Sequence, residues 1–301
     1  MTGSEIPDEH AYGQAFALLG NETRVAILHE LWRSLGEGPV SFSDLRERVG
    51  MRDSGQFNYH LTKLTDAFVR KTDDGYSLRF AGMAVVGSIL SGHYEQAGFD
   101  EPIPVEGACA SCDGPLRFTY VDERATIDCA DCGRGVSSAS VPAGVFAGRD
   151  REDAPELFDR WLRAQVDRVA AGFCMACTGP TTPQVAAENP PSETPAGTNS
   201  PQQPFVVYEC ARCNERVTSS VTEAVTRHPA VVAFHHEHAI DLRTEPTWAL
   251  DWLHVPVEIL AADPLRVAFD VTLDDETLRL TVDEDLVVLA EERRAARTLE
   301  Q

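Results

Sequence analysis

The chain has 301 residues, 43% of them hydrophobic, which is enough for two or three domains with their own cores. Forty-eight acidic residues stand against 26 basic ones, a formal net charge of −22, and Lys63 and Lys71 are the only lysines beside 24 arginines. That charge argues against a general polyanion binder, and no stretch reaches the roughly 18 consecutive apolar residues of a membrane span. So acidic a surface suits a cytoplasm of very high salt, where it keeps proteins dissolved.

The charge is uneven. Residues 1–94 carry a balance of −3 and residues 95–301 one of −19, whereas residues 46–79 hold seven basic and five acidic residues. The segment that escapes the acidic bias is the one to search for a nucleic-acid contact. The opening residues, Met1 to His10, show neither a basic nor an apolar signal region, so an intracellular, cytoplasmic chain is expected.

From the N-terminus, Ala15 to Gly20 closes a first helix, Ala11–Leu19. Asn21 can cap a second, in which Val25, Leu28 and Trp32 form one buried stripe. Pro39 to Phe42 reads as extended. Ser43 can cap a third helix that buries Leu45 and Val49 and ends at Gly50. Ser54 can cap a fourth helix, Gly55 to Leu64, with Phe57, Leu61 and Leu64 on its apolar face. Its other face carries Gln56, Asn58, Tyr59 and Lys63, side chains able to read base edges; glutamine and asparagine pair with adenine. Phe68 to Thr72, the turn Asp73-Asp74-Gly75 and Tyr76 to Arg79 form a hairpin flanked by Arg70, Lys71 and Arg79. A further helix spans Ala81–Tyr94. A helix-turn-helix followed by a hairpin is a winged helix, expected over residues 1–95, with Ser54, Gln56, Asn58, Tyr59, Lys63, Arg70, Lys71 and Arg79 as DNA contacts. A helical bundle with a polar surface, or a winged helix that docks protein, is the competing reading.

All eight cysteines lie in Cys-x-x-Cys pairs: Cys109/Cys112, Cys129/Cys132, Cys174/Cys177 and Cys210/Cys213. Two pairs spaced Cys109-x2-Cys112-x16-Cys129-x2-Cys132 match a four-thiolate zinc site. Disulfides are disfavoured inside cells, and a dithiol redox motif needs one exposed low-pKa pair rather than four. Leu116 to Val121 and Arg124 to Asp128 read as two strands around the turn Asp122-Glu123, giving a zinc ribbon over residues 105–150. Ala154 to Ala171 is a connecting helix with Pro155 in its first turn and an apolar stripe of Leu157, Trp161 and Val169. A second ribbon, residues 172–218, is looser. Residues 178–204 are rich in Pro, Thr, Ser and Gly and read as a flexible insertion before the strand Phe205 to Glu209. Reduced cysteines without metal are the alternative there.

Residues 219–301 form a small α/β domain. Val221 to Ala239 is a helix interrupted near Pro229, with His228, His235, His236 and His238 on it. These fit a polar helix face better than a metal site, since no His-Glu-x-x-His spacing occurs. Leu265 to Leu273 and Leu278 to Val282 alternate apolar and polar, an antiparallel meander with one wet face that packs on that helix. Glu291 to Gln301 reads as a polar tail.

Leu18-Leu19-Gly20-Asn21-Glu22-Thr23-Arg24-Val25-Ala26-Ile27-Leu28 resembles the opening of ArsR-type winged-helix regulators. Ser54 to Leu64 is similar to the recognition helix of their haloarchaeal members, and the layout of winged helix, cysteine pairs and acidic C-terminal part resembles a haloarchaeal regulator group. The resemblance implies a homodimer joined through the first helix and the Ala81–Tyr94 helix. The third helix lacks cysteines, so the family's usual metalloid-sensing thiolates are absent. The expected molecule is therefore an α+β transcription regulator, not an enzyme, that binds double-stranded DNA and holds two structural zinc ions per chain. The alternative is a zinc-ribbon adaptor of the transcription machinery that does not read DNA sequence.

Overall fold

The computed structural model describes residues 9–95, 97–187 and 203–295. It is a mixed α+β chain with four small antiparallel sheets. The chain divides into two compact units: Met1–Glu95 with Pro142–Gly144, and Gln96–Val141 with Val145–Gln301. No helix among the described residues is long and apolar enough to cross a membrane.

The first unit runs α1 (Glu9–Leu19), α2 (Glu22–Arg33), α3 (Phe42–Arg48), α4 (Ser54–Leu64), β1 (Val69–Thr72), β2 (Gly75–Leu78) and α5 (Phe80–Leu90). Asn21 caps α2 as expected, accepting the Arg24 N–H at 3.2 Å. The next two caps fall earlier than the sequence suggests. Ser41, not Ser43, caps α3, and Asp53, not Ser54, caps α4. Both have extended backbone, which aims the side-chain oxygen at the free amides, and the Asp53 carboxylate also suits the helix dipole. The buried face of α2 is Ile27, Leu28 and Leu31, with Val25 and Trp32 only partly covered. Those residues meet Leu45 of α3, Phe57, Leu61 and Leu64 of α4, and Val86 of α5 in one core. Helix α5 stops at Leu90, so Tyr94 lies beyond it. Val40 pairs with Tyr76 through two 2.8 Å backbone hydrogen bonds and adds a third rung to the β1–β2 hairpin. Gly75 makes this fit possible: its φ is +140°, and a Cβ there would lie 2.4 Å from the Val40 carbonyl oxygen.

The second unit begins with a meander, β3 (Ile103–Ala108), β4 (Pro115–Val121), β5 (Arg124–Cys129) and β6 (Gly135–Ser140), in that spatial order. Helix α6 (Ala154–Ala170) follows. Then come β7 (Thr181–Ala186), β8 (Phe205–Cys210) and β9 (Arg216–Ser220) in a second sheet, the short α7 (Val221–Ala224), and α8 (Pro229–Glu237). The last sheet is β10 (Glu258–Ala262), β11 (Leu265–Leu273), β12 (Glu276–Asp283) and β13 (Val288–Ala295).

Two segments differ from the sequence expectation. Thr181–Ala186, read as part of a flexible insertion, is strand β7; pairing with β8 overrides its weak propensity, and Pro183 is tolerated because β7 is an edge. Of that insertion, residues 188–202 lie outside the described residues. Val288–Ala295 is strand β13, so the polar tail begins later than expected; residues 296–301 lie outside the described residues.

Helix α6 serves two cores. Leu157 and Phe158 near its start pack with Ile103, Phe118, Tyr120 and Ile127 of the first sheet. Val169 near its end joins Val206 and Tyr208 of the second sheet, Val231 and Phe234 of α8, and Val267, Leu278 and Leu280 of the last sheet. The meander thus packs on the α7–α8 segment, as its alternation implies.

Candidate metal centres

Hairpin β4–β5 turns through Asp122 and Glu123, both with positive φ (48° and 64°), a two-residue turn whose twist matches the strands. At the other end the register sets Leu116 opposite Cys129. This brings Cys109 and Cys112, just before β4, against Cys129, the last residue of β5, and Cys132, just after it. The four sulfurs lie within 4.8 Å of one another, with Cys109–Cys132 at 3.8 Å and Cys112–Cys129 at 3.5 Å. The second set repeats the arrangement: Cys174–Cys213 is 3.7 Å and Cys177–Cys210 is 3.5 Å. All eight cysteines are free of disulfides.

Zinc at about 2.3 Å from each of four thiolates places the sulfurs roughly 3.8 Å apart. Both clusters meet that spacing. Each knuckle also turns backbone amides onto sulfur, as Ser111 N–H does to Cys109 at 3.4 Å and Arg212 N–H to Cys210 at 3.4 Å. Those amides favour the thiolate, the form that binds metal. The Cys132 N–H leads in lowering the Cys129 thiol to about 7, against burial. Burial opposes the same shift at Cys210, yet the N–H groups of Cys213 and Arg212 bring it to about 7. Cys112 rises to about 12 although the Gly114 N–H pulls it down, because hydrogen bonds to Cys132 and Cys129 keep its proton. Metal binding takes cysteine as thiolate and releases any proton the thiol still holds. The donor set fits two structural zinc sites, each tying a hairpin to its flanking knuckles.

The two sites are copies of one unit, a repeat that the sequence shows once the pairs are aligned. Cys109-Ala110-Ser111-Cys112-Asp113-Gly114-Pro115 corresponds to Cys174-Met175-Ala176-Cys177-Thr178-Gly179-Pro180. Cys129-Ala130-Asp131-Cys132 and Val136-Ser137-Ser138 correspond to Cys210-Ala211-Arg212-Cys213 and Val217-Thr218-Ser219. The backbone obeys the same rule in both. Asp113 and Thr178 have φ of 60° and 57°, and Gly133 and Asn214 have 72° and 60°. Cys109 and Cys174 N–H groups donate to Gly114 and Gly179, and Ala130 and Ala211 donate to Pro115 and Pro180. The glycine is required in each: a Cβ on Gly114 would lie 2.7 Å from Asp131 Oδ2, and one on Gly179 would lie 3.1 Å from the sulfurs of both Cys177 and Cys210.

The histidines of the C-terminal part do not gather. Among the described residues only the two cysteine sets form a metal-ligand group. His235, expected on a polar face, is fully buried, with Nδ1 2.7 Å from the Val231 carbonyl oxygen. His238 Nδ1 lies 2.8 Å from the Phe234 carbonyl oxygen, and His228 Nδ1 accepts the Ala230 N–H at 3.4 Å as the α8 cap.

In the first unit, Ser54, Gln56, Asn58, Tyr59 and Lys63 are exposed on α4, whose Phe57, Leu61 and Leu64 are buried. Lys63 Nζ stands 5.7 Å from the Tyr59 ring. Arg70 and Lys71 are exposed on β1, and Arg79 is exposed where α5 begins.

Residues 106–288 match a family model described as Domain of unknown function (DUF7351), and residues 13–89 match one described as Domain of unknown function (DUF7347). No curated protein and no solved structure matches the chain.

Proposed function

The chain belongs to the family described as Domain of unknown function (DUF7351), and from the arrangement of its residues we propose that it is a sequence-specific DNA-binding transcription regulator with two structural zinc sites. In this reading α3 and α4 are a helix-turn-helix, β1–β2 is the wing, and the resemblance to ArsR-type regulators extends over the first unit. One observation carries it. Among the described residues, Lys63, Arg70, Lys71 and Arg79 have no ion-pair partner, and Arg33–Glu30 is the one ion pair of the first unit. The second unit instead pairs half of its described arginines with carboxylates, as in Arg117–Asp128, Arg163–Asp159 and Arg279–Asp270. Free cations, and exposed amide side chains such as Gln56 and Asn58, are what phosphate and base contacts need.

The same reading makes the molecule a homodimer. Leu19, Val25, Val86 and Ile89 line an apolar groove of about 510 Å³, and Phe16, Leu90 and Tyr94 are exposed nearby in sequence. Two recognition helices in such a dimer read half-sites separated by about one helical turn or a multiple of it.

The test is a salt-resolved titration against a footprinted operator and a scrambled duplex. Gln56→Ala or Asn58→Ala is expected to cost about 1–3 kcal/mol on the operator and to relax base preference. Arg70→Ala, Lys71→Ala or Arg79→Ala is expected to weaken both duplexes alike and mainly at lower salt. Equal losses on both duplexes from the α4 variants would overturn base reading by this helix. A chain that binds neither duplex favours the adaptor reading, to which the charge of −22 is better suited.

A further inference from the structure

A cleft of about 660 Å³ lies within the second unit, between the two ribbons. Its walls are β6 and β9, the equivalent third strands of the two repeats, with Arg124, Thr126 and Asp128 of β5 and Asp159, Leu162, Arg163 and Val166 of α6 also lining it. Each wall strand is the last of its sheet. Both walls are therefore open edges.

Hydrogen bonding shows which backbone groups of these edges point away from their own sheet. Val141 N–H donates to the Glu123 carbonyl oxygen, so Ala139 and Ser137 turn toward β5, and Ser138 and Ser140 turn away from it. Cys210 N–H donates to the Glu215 carbonyl oxygen, so Val217 and Ser219 turn toward β8, and Arg216 and Thr218 turn away. No other backbone hydrogen bond reaches Ser138, Ser140 or Thr218 among the described residues. Edges are ordinarily covered or guarded by charge. The outer edge β13 is guarded so, by Glu291, Glu292, Arg293 and Arg294. The edge β6 instead carries Gly, Val, Ser and Ala, and β9 after Arg216 carries Val, Thr and Ser. Such side chains let another backbone come within the roughly 4.8 Å of a neighbouring strand.

Charged residues of both signs line the cleft, Arg124, Asp128, Glu215 and Arg216 among them, with Asp128 held by Arg117 and Arg216 by Glu209. Asp159 is 4% exposed and satisfied, by Arg163 at 2.8 Å and by the Thr247 N–H at 3.2 Å. Glu223 accepts the Ser219 hydroxyl at 2.9 Å and has no cationic partner among the described residues. Burial raises its carboxyl above the usual range, as expected of an acid lacking a counter-charge. Trp161, Met175 and Leu253 supply apolar lining.

We propose that this cleft takes an extended segment of a partner polypeptide, which lies between β6 and β9 as an added strand and sets a lysine or arginine on Glu223. Strand addition supplies affinity through main-chain hydrogen bonds, and the acid supplies selection. This binding is separate from the DNA reading and does not depend on it.

The experiment selects a phage-displayed library of random linear peptides on the full zinc-loaded chain. The selected peptides are expected to share an alternating pattern and one basic residue. A synthetic copy with alternate amides N-methylated is expected to lose about ten-fold in affinity, and Glu223→Gln to reduce binding of the unmethylated peptide about ten-fold. Thr218→Pro is expected to abolish binding. Should that variant not fold, hydrogen exchange on the unaltered chain gives the same test: bound peptide must slow the Ser138, Ser140 and Thr218 amides. An empty selection, or peptides indifferent to N-methylation and to Glu223→Gln, would overturn the proposal.

Discussion

His235 can donate from Nδ1 to the Val231 carbonyl oxygen, an atom that only accepts, so its Nε2 is bare and buried beside Trp252, whose indole N–H also lacks a partner. The histidine spacing in the sequence suggested a polar face, but Val231, Phe234 and His235 recur at helical period and mark the buried side instead. Burial lowers the His235 pKa below its ordinary value, aided by His238 and opposed by the bond to Val231. A depressed folded pKa means that the unfolded chain takes up the proton first. The contribution to stability is complete above the unfolded value of about 6.5 and is lost as pH falls toward the folded one. His235→Leu is therefore expected to flatten the fall in stability between neutral and mildly acidic pH, measured by denaturant unfolding of both proteins with zinc in excess. An unchanged slope would contradict it. Gly179→Ala is a second test at this scale. Its new methyl meets two sulfurs, so zinc is expected to leave the second site at lower chelator concentration while the first site is unaffected, as read by a colorimetric zinc indicator.

At the scale of elements, the parts legible in the sequence are those fixed by neighbours along the chain. The knuckles, the Asp122-Glu123 turn, the α6 stripe and the β11–β12 alternation all carry local signals. The metal ligands were readable for the same reason, since Cys-x-x-Cys spacing is itself the geometry. Strands β7 and β13 were not readable. Thr-Thr-Pro-Gln and Glu-Glu-Arg-Arg become strands only because β8 and β12 offer them partners, which is the context dependence of strand propensity. The cleft was hidden too, because Ser138, Thr218 and Glu223 acquire meaning only when two distant strands face each other. Phe158 is fully buried among aromatic rings, 5.8 Å from Phe118. Phe158→Ala is expected to cost about 3–5 kcal/mol of stability, whereas the exposed Arg160→Ala should stay within about 0.5 kcal/mol. Chemical denaturation decides between these outcomes and an equal effect of both.

For the whole molecule, the two units differ in what holds them. The first has a helical core without cysteine, and the second closes both ribbons around their cysteine sets. Purified protein is expected to carry two zinc ions per chain by elemental analysis. A strong chelator should then raise hydrogen exchange across the strands of both ribbons and leave α2 and α4 protected, because structural zinc supplies folding free energy only where it is bound. Equal loss of protection in both units would show that the first needs the metal as well. The balance of −4 in the first unit against −18 in the second adds a further contrast: the second unit should gain more stability as salt rises and its self-repulsion is screened.

The repeat also gives a practical opening. The first hairpin turns in two residues, while 18 residues, 187–204, separate the paired ends of the second. The register of that second hairpin is set from its far end, where the knuckles lock Cys210 opposite Thr181. An epitope tag, a fluorescent protein or a spin label spliced between Ala187 and Pro204 would therefore report on this molecule without loosening the strands that carry it.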